Sequence, residues 1–148
     1  MSSPAIRTIG RWLLGFALAG AGVSHLTVSR EEFQAQVPAW FPVDEDAVVL
    51  ASGVVEVALG SSLLLARRRR RTVGWLAAAV FVAIFPGNSA QYVEGTSAFG
   101  LDTDRKRLIR LFFQPVLVAW ALWATGALTP EASGGPRPDR DGRRPASA

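Results

Sequence analysis

The chain has 148 residues, a formal net charge of +4 and a hydrophobic fraction of 49%. It contains no cysteine, which excludes disulfides, thiol redox chemistry and thiolate-bound metals, and its single histidine, His25, cannot alone build a metal site of the usual kind. Its charges fall almost wholly between four apolar blocks and at the C-terminal tail, and this pattern argues against a soluble fold. The basic residues are therefore expected to interact with anionic lipid headgroups rather than with nucleic acid.

The first apolar block, residues 9–26, reads IGRWLLGFALAGAGVSHL and is preceded by a basic start with Arg7. A basic start followed by a short apolar run and small residues is also typical of a secretory signal peptide, which remains an alternative. Small residues at four-residue spacing, such as Gly15 and Ala19, favour a membrane span that packs closely on another helix. Arg11 would reach back to the headgroups from this span.

Residues 27–46 are polar and mostly acidic, and Pro38 and Pro42 flank an aromatic pair, Trp40 and Phe41. Two prolines at this spacing prevent one regular helix. Aromatic side chains favour the membrane interface, so this segment is predicted to be an outer loop that dips into the headgroups.

The second apolar block, residues 47–66, contains one charge, Glu56, and is followed at once by five arginines, Arg67 to Arg71. Twenty residues of helix rise about 30 Å, the thickness of the hydrocarbon core. The arginines predict that this end faces the cytoplasm. Glu56 then lies near mid-membrane, where an ionisable group is costly, and it is the candidate catalytic residue.

The third span is predicted at residues 72–92 and the fourth at residues 107–126. Pro86 should kink or unwind the last turns of the third span. Pro115 removes a backbone hydrogen bond within the fourth span, which another group must replace.

These spans predict an all-α, integral membrane four-helix bundle over residues 1–126, followed by a disordered basic tail at residues 127–148. With both termini cytoplasmic, eleven of the sixteen lysines and arginines lie inside, as the positive-inside rule favours. Trp12, Trp75, Trp120 and Trp123 then fall near the inner face, as an aromatic belt would.

The rise per residue places six polar side chains in the outer half of this bundle, where they can line one pocket that is open outward and closed inward by apolar residues. The candidate ligand-binding residues that accompany Glu56 are His25, Asn88, Gln91, Arg110 and Gln114.

A purely structural interpretation of the same groups is the alternative. Glu56 and Arg110 would then form only an ion pair that holds the helices in register. His25 would be an interfacial helix end. The side-chain amides would satisfy backbone groups freed by Pro86 and Pro115.

Several stretches resemble the DoxX-like family of small four-helix membrane proteins: GVSHL at residues 22–26, VPAWFP at 37–42, SGVVEVALG at 52–60, FPGNSAQY at 85–92 and RLIRLFFQPVLVAWALW at 107–123. The resemblance covers nearly everything but the tail. It implies a four-helix membrane bundle and a link to quinone-coupled redox reactions, since the family is named after a subunit of a thiosulfate:quinone oxidoreductase. The family's polar positions look like His25, Glu56, Asn88, Arg110 and Gln114 here.

The sequence therefore predicts a multi-pass protein of the bacterial cytoplasmic membrane, whose function is that of a quinone-binding or redox-associated membrane subunit. It shows no haem, flavin or metal motif, so enzymatic activity is expected only together with a redox or membrane protein partner within a quinone-linked oxidoreductase. The alternatives are a non-enzymatic membrane anchor or assembly partner, and a carrier of a small solute or of protons.

Overall fold

A computed structural model describes residues 3–129, and within that range all regular secondary structure is helical. The predicted all-α fold is thereby confirmed, whereas residues 130–148 of the predicted tail lie outside the described residues. The helices are α1 (Pro4–Leu26), α2 (Arg30–Gln34), α3 (Glu45–Leu65), α4 (Arg70–Ala83), α5 (Phe85–Val93) and α6 (Asp104–Thr125).

Helices α3 and α6 begin earlier than their apolar blocks because polar residues form their first turns. The Asp44 carboxylate accepts a hydrogen bond from the backbone N–H of Ala47 at 3.0 Å and caps α3. The Thr103 hydroxyl accepts one from the N–H of Lys106 and caps α6. Helix α1 begins at Pro4, whose fixed φ suits the first helical position.

The third predicted span is two helices rather than one with unwound last turns. Helix α4 ends at Ala83, and α5 begins at Phe85, after the single residue Ile84, with Pro86 in its first turn. Proline is tolerated there because the first N–H groups of a helix have no intrahelical partner. The expected interruption is therefore present, but the residues after it are helical again.

Helices α1 and α3 form the most extensive antiparallel pair of the bundle, and glycines permit their close approach. An added Cβ at Gly60 would lie 2.5 Å from the backbone N of Ala19 and 2.6 Å from the carbonyl O of Gly15. At Gly22 it would lie 2.6 Å from the carbonyl O of Gly53. Helix α6 packs on α1 and on α4, while α3 and α4 touch less extensively and close the ring.

The apolar core fills the half of the bundle nearest residues 67–71, which we term the arginine end. Its members come from all four long segments: Leu14, Leu18, Leu59, Leu63, Val73, Ala77, Phe81 and Ala121. At this end the Arg11 guanidinium is buried and donates a hydrogen bond to the carbonyl O of Leu63, in the last turn of α3. A cation there compensates the partial negative charge of the helix C-terminus, so Arg11 packs inward rather than reaching the headgroups.

Within residues 3–129, three segments are long and apolar enough to cross a membrane: Glu45–Leu65, Arg70–Val93 and Asp104–Thr125. The outward faces carry large exposed apolar side chains, such as Val54 on α3, Val82 on α4 and Phe112 on α6. A water-soluble monomer rarely exposes a continuous apolar surface of this kind. Helix α1, the first predicted span, is not among the three, although Leu13 and Phe16 on its outward face are also exposed.

Candidate functional site

A cavity of about 530 Å³ lies in the half of the bundle opposite the arginine end. Every helix contributes to its wall or to the segment that covers it, and most of the lining side chains are apolar. Leu14, Leu18 and Leu117 line the side toward the apolar core, while Val37, Trp40 and Phe41 come from the loop between α2 and α3. The volume falls within the range of about 300–1,000 Å³ that is usual for small-molecule sites.

Two of the predicted site residues, His25 and Glu56, form a buried pair in the wall of this cavity. Nδ1 of His25 lies 2.9 Å from Oε2 of Glu56, and each side chain is 7% exposed. Oε2 makes no hydrogen bond among the described residues, so its contact with Nδ1 is one of distance and not of hydrogen-bond alignment. The hydroxyl Oγ of Ser52, one helical turn before Glu56, lies 3.4 Å from the same Nδ1. His25 is thus buried in the last turn of α1.

The glycine contacts between α1 and α3 bring this pair together. His25 lies in the last turn of α1, and an added Cβ at Gly53 would lie 3.0 Å from the Cβ of His25. Only a residue without a side chain leaves room for the imidazole against α3. Glu56 follows Gly53 by three residues, on the same face of the helix, and so its carboxylate reaches the ring.

Arg110 lines the cavity from α6 but does not pair with Glu56, contrary to the ion-pair interpretation. Its guanidinium donates to Oε1 of Gln91 at 3.0 Å and to Oε1 of Gln36 at 2.9 Å, and it lies 5.7 Å from the ring centroid of Phe99. Within residues 3–129 Arg110 has no carboxylate partner. The partner of Glu56 is His25 instead, because α1 packs against α3 more extensively than any other helix does.

The three predicted amide residues have different positions. Asn88 lines the cavity and donates to Oε1 of Gln114 at 2.8 Å. Gln114 lies behind it and donates to the carbonyl O of Phe81, just before the break between α4 and α5. Gln91 donates to the carbonyl O of Thr96 at 3.3 Å in the following loop. Gln91 and Gln114 therefore satisfy backbone carbonyls and brace Arg110 and Asn88 from outside the cavity.

Aromatic side chains cover the outer side of His25. Phe33 of α2 meets the imidazole edge to face, and Phe99 packs against Phe33. Phe99 has a φ of +54°, which costs energy in a residue with a bulky side chain. Arg107 fixes the backbone of this loop by donating to the carbonyl oxygens of Gly95 and Thr96.

Sequence reasoning missed two lining residues, Phe33 and Gln36. They lie in the segment between α1 and α3, where helical periodicity gives little indication of which side chains point inward. Gln36 directly precedes the VPAWFP stretch, and that proximity was the one available signal.

Within residues 3–129, no three histidine or carboxylate side chains come together in a way that could hold a metal ion.

A family model described as "Domain of unknown function (DUF8561)" matches residues 14–125. The chain belongs to this family. The match begins at Leu14, in the middle of α1, and ends at Thr125, the last residue of α6. All residues that line the cavity lie within this range, so the DUF8561 domain contains the whole cavity. No match to the DoxX-like family accompanies it. No curated protein and no solved structure gives a significant match.

Proposed function

We propose that this DUF8561 protein is a four-span protein of the bacterial cytoplasmic membrane with both termini in the cytoplasm. The exposed apolar face of α1 supports a fourth span beside the three long apolar segments. Five consecutive arginines, Arg67 to Arg71, in the connection from α3 and the first turn of α4 support a cytoplasmic position for that end. Exposed Trp12, Trp75 and Trp123 near the same end would lie at the headgroup level.

The orientation predicts the labelling pattern of single cysteines, which can be introduced freely because the chain has none. In intact cells, Arg69→Cys should be protected from a membrane-impermeant thiol reagent, because it lies between α3 and α4 on the cytoplasmic side. Glu45→Cys, in the first turn of α3, should react. Permeabilised cells provide the control, in which both cysteines should be labelled. The reverse pattern in intact cells would contradict the orientation.

Within this arrangement, we propose that the cavity binds the headgroup of a membrane quinone and that the protein is a quinone-binding, redox-associated membrane subunit. The observation that carries the proposal is a largely apolar cavity whose wall holds a buried His25–Glu56 pair and an arginine, Arg110, that has no carboxylate partner among the described residues. Small-molecule sites generally combine an apolar wall with a few polar groups that fix the ligand's orientation. Quinones have this chemistry, with two ring oxygens on an apolar body.

The polar groups around the cavity can interact with both ring oxygens. Arg110 and Asn88 approach from α6 and α5, while His25 lies across the cavity on α1. Gln36 also lines the cavity, where its Oε1 accepts a hydrogen bond from Arg110. A ring held between these two sides would be oriented at both ends.

The resemblance to DoxX-like proteins supports the same proposal, because it implies a link to quinone-coupled redox reactions. It rests on the motifs that contribute His25, Glu56, Asn88, Arg110 and Gln114. Glu56 would act with His25 in exchanging the proton that accompanies reduction of the quinone. A redox partner protein would exchange the electrons.

Saturable binding of a short-tailed benzoquinone to the detergent-purified protein tests this function. Ala21→Phe should lower the affinity at least tenfold, because Ala21 lines the cavity and the larger ring would occupy it. Ala58→Phe is the matched control, since Ala58 is exposed and lies outside the cavity lining, and it should leave binding unchanged. Arg110→Leu should weaken binding by removing a donor.

Absence of binding by a folded sample would contradict the proposal, and so would equal effects of the two phenylalanine substitutions. A non-enzymatic membrane anchor, or a small-solute or proton carrier, would then be the better explanation of the bundle.

A further inference from the structure

The charged side chains of the bundle are distributed unevenly between its two ends. In residues 3–129, every carboxylate lies within residues 31–56 or 94–104, away from the arginine end. The arginine end carries Arg7, Arg11 and Arg67 to Arg71, and none of its described residues is acidic. Any negative charge that balances these arginines must therefore come from outside the described part of the chain.

The opposite end of the bundle is different, because its basic side chains have partners. Three of them form ion pairs with carboxylates: Lys106 with Asp102, Arg107 with Asp104 and Arg30 with Asp46. By contrast, Arg67 to Arg70 are exposed, and their side chains make no hydrogen bond or ion pair within residues 3–129. Their guanidinium groups are thus available to an anion from outside this part of the chain.

The arginines at this end also repel one another. The guanidinium of Arg11 is buried and held in place by its hydrogen bond to the carbonyl O of Leu63. Arg67 and Arg70 lie close enough to act on it repulsively. Like charges gathered beside an apolar core cost free energy, and a bound anion would offset that cost.

Exposed apolar side chains lie at the same level as these arginines. Leu65 is the last residue of α3, Trp75 lies in the second turn of α4, and Trp12 follows Arg11 on α1; all three are exposed. A ligand at this end therefore meets guanidinium groups on one side and an apolar surface on the other. A phospholipid offers phosphate to the first and acyl chains to the second, whereas a free anion or a nucleic acid has no chains to cover the apolar surface.

We propose that Arg67 to Arg70 bind the headgroup of an anionic phospholipid, and that this site prefers a lipid with two phosphates, such as cardiolipin, over a lipid with one. A guanidinium can donate to two oxygens of the same phosphate. A single negative charge cannot neutralise four exposed arginines, so a second phosphate on the same headgroup adds affinity. The proposal rests on the membrane placement of the bundle and is independent of the quinone.

The test measures the binding of three phospholipids to the detergent-purified, full-length protein. Dilysocardiolipin has two phosphates and two acyl chains, phosphatidylglycerol has one phosphate and two chains, and phosphatidylcholine has two chains and no net charge. Dilysocardiolipin should bind about tenfold more tightly than phosphatidylglycerol, and phosphatidylcholine should bind least tightly. Raising the salt concentration should reduce these differences, because the arginines are exposed.

Two variants that remove the same number of charges locate the site. The combined substitutions Arg67→Gln, Arg68→Gln, Arg69→Gln and Arg70→Gln should abolish the preference for dilysocardiolipin. The matched control changes arginines of the tail, and it should keep the preference: Arg137→Gln, Arg140→Gln, Arg143→Gln and Arg144→Gln. Where the first variant does not fold, Arg68→Gln/Arg69→Gln removes two exposed charges and should weaken the preference.

Equal affinity of the unaltered protein for the three lipids would overturn the proposal, and so would an equal loss in the tail variant. Displacement of dilysocardiolipin by the same concentration of inorganic pyrophosphate would also overturn it, because the site would then be one for a free anion. None of Arg67 to Arg70 lines the cavity. Each of these results would therefore leave the proposed quinone site standing.

Discussion

His25→Leu is expected to lower the free energy of unfolding by about 3–5 kcal/mol, because it leaves the Glu56 carboxylate buried without its partner. Glu56 would have to take up a proton or remain an uncompensated charge beside apolar side chains. Glu56→Leu should also destabilise, because it leaves Nδ1 of the buried His25 with only the more distant Ser52 hydroxyl. Unfolding by sodium dodecyl sulfate in mixed micelles measures both losses.

The double variant His25→Leu/Glu56→Leu should lose less stability than the two single losses added together, since replacing both partners by apolar groups removes the unpaired charge. Glu56→Leu combined with Thr72→Leu is the control. Thr72 is exposed at the arginine end, far from the pair, and the two effects should add. Additivity in the His25–Glu56 cycle as well would mean that the two side chains do not stabilise each other.

The sequence predicted which segments are helical more accurately than it predicted where each helix begins. Each of the four apolar blocks contains helix because a long apolar run favours the one backbone that satisfies its own polar groups. The starts of α3 and α6 lay two or three residues earlier than predicted, since Asp44 and Thr103 cap them from outside the apolar run. Cap residues carry that information, so these ends could have been predicted.

The rise per residue placed the polar side chains at one level of the bundle, but it could not assign their partners. His25, Glu56, Asn88 and Arg110 do line one cavity. Partner choice depends on how each helix is rotated and how closely it approaches its neighbours, neither of which follows from depth. The contact of Gly22 with Gly53 fixes the rotation and the separation of α1 and α3. As a result Glu56 pairs with His25 rather than with Arg110.

The loops set the remaining limit on prediction. Phe33 and Phe99 meet over His25 because the chain folds back twice at the same end of the bundle. Contacts between segments so distant along the chain have no periodic signature in the sequence. The positive φ of Phe99 is a tertiary effect of the same kind, because a phenylalanine does not favour that conformation by itself.

Because α1 and α3 approach closely, adding a single methyl group at a glycine between them is expected to lower stability strongly. Gly60→Ala places its Cβ 2.5 Å from the backbone N of Ala19, and since the obstructing atoms include backbone, no rotamer change can relieve the clash. The helices must separate. We expect a loss of about 3 kcal/mol, the upper part of the range for overpacked sites, and a lower midpoint of thermal unfolding in detergent.

Gly20→Ala is the matched control on the same pair of helices, because nothing lies within 4 Å of an added Cβ at Gly20. Replacing an exposed helical glycine by alanine should raise stability by roughly 0.5–1 kcal/mol. The two substitutions add the same methyl group, so their opposite signs would isolate the contact between the helices. Gly60→Ala should also weaken quinone binding, since separating α1 from α3 draws His25 away from Glu56. Equal unfolding midpoints for Gly60→Ala and Gly20→Ala would show that the two helices do not approach as closely as the glycines permit.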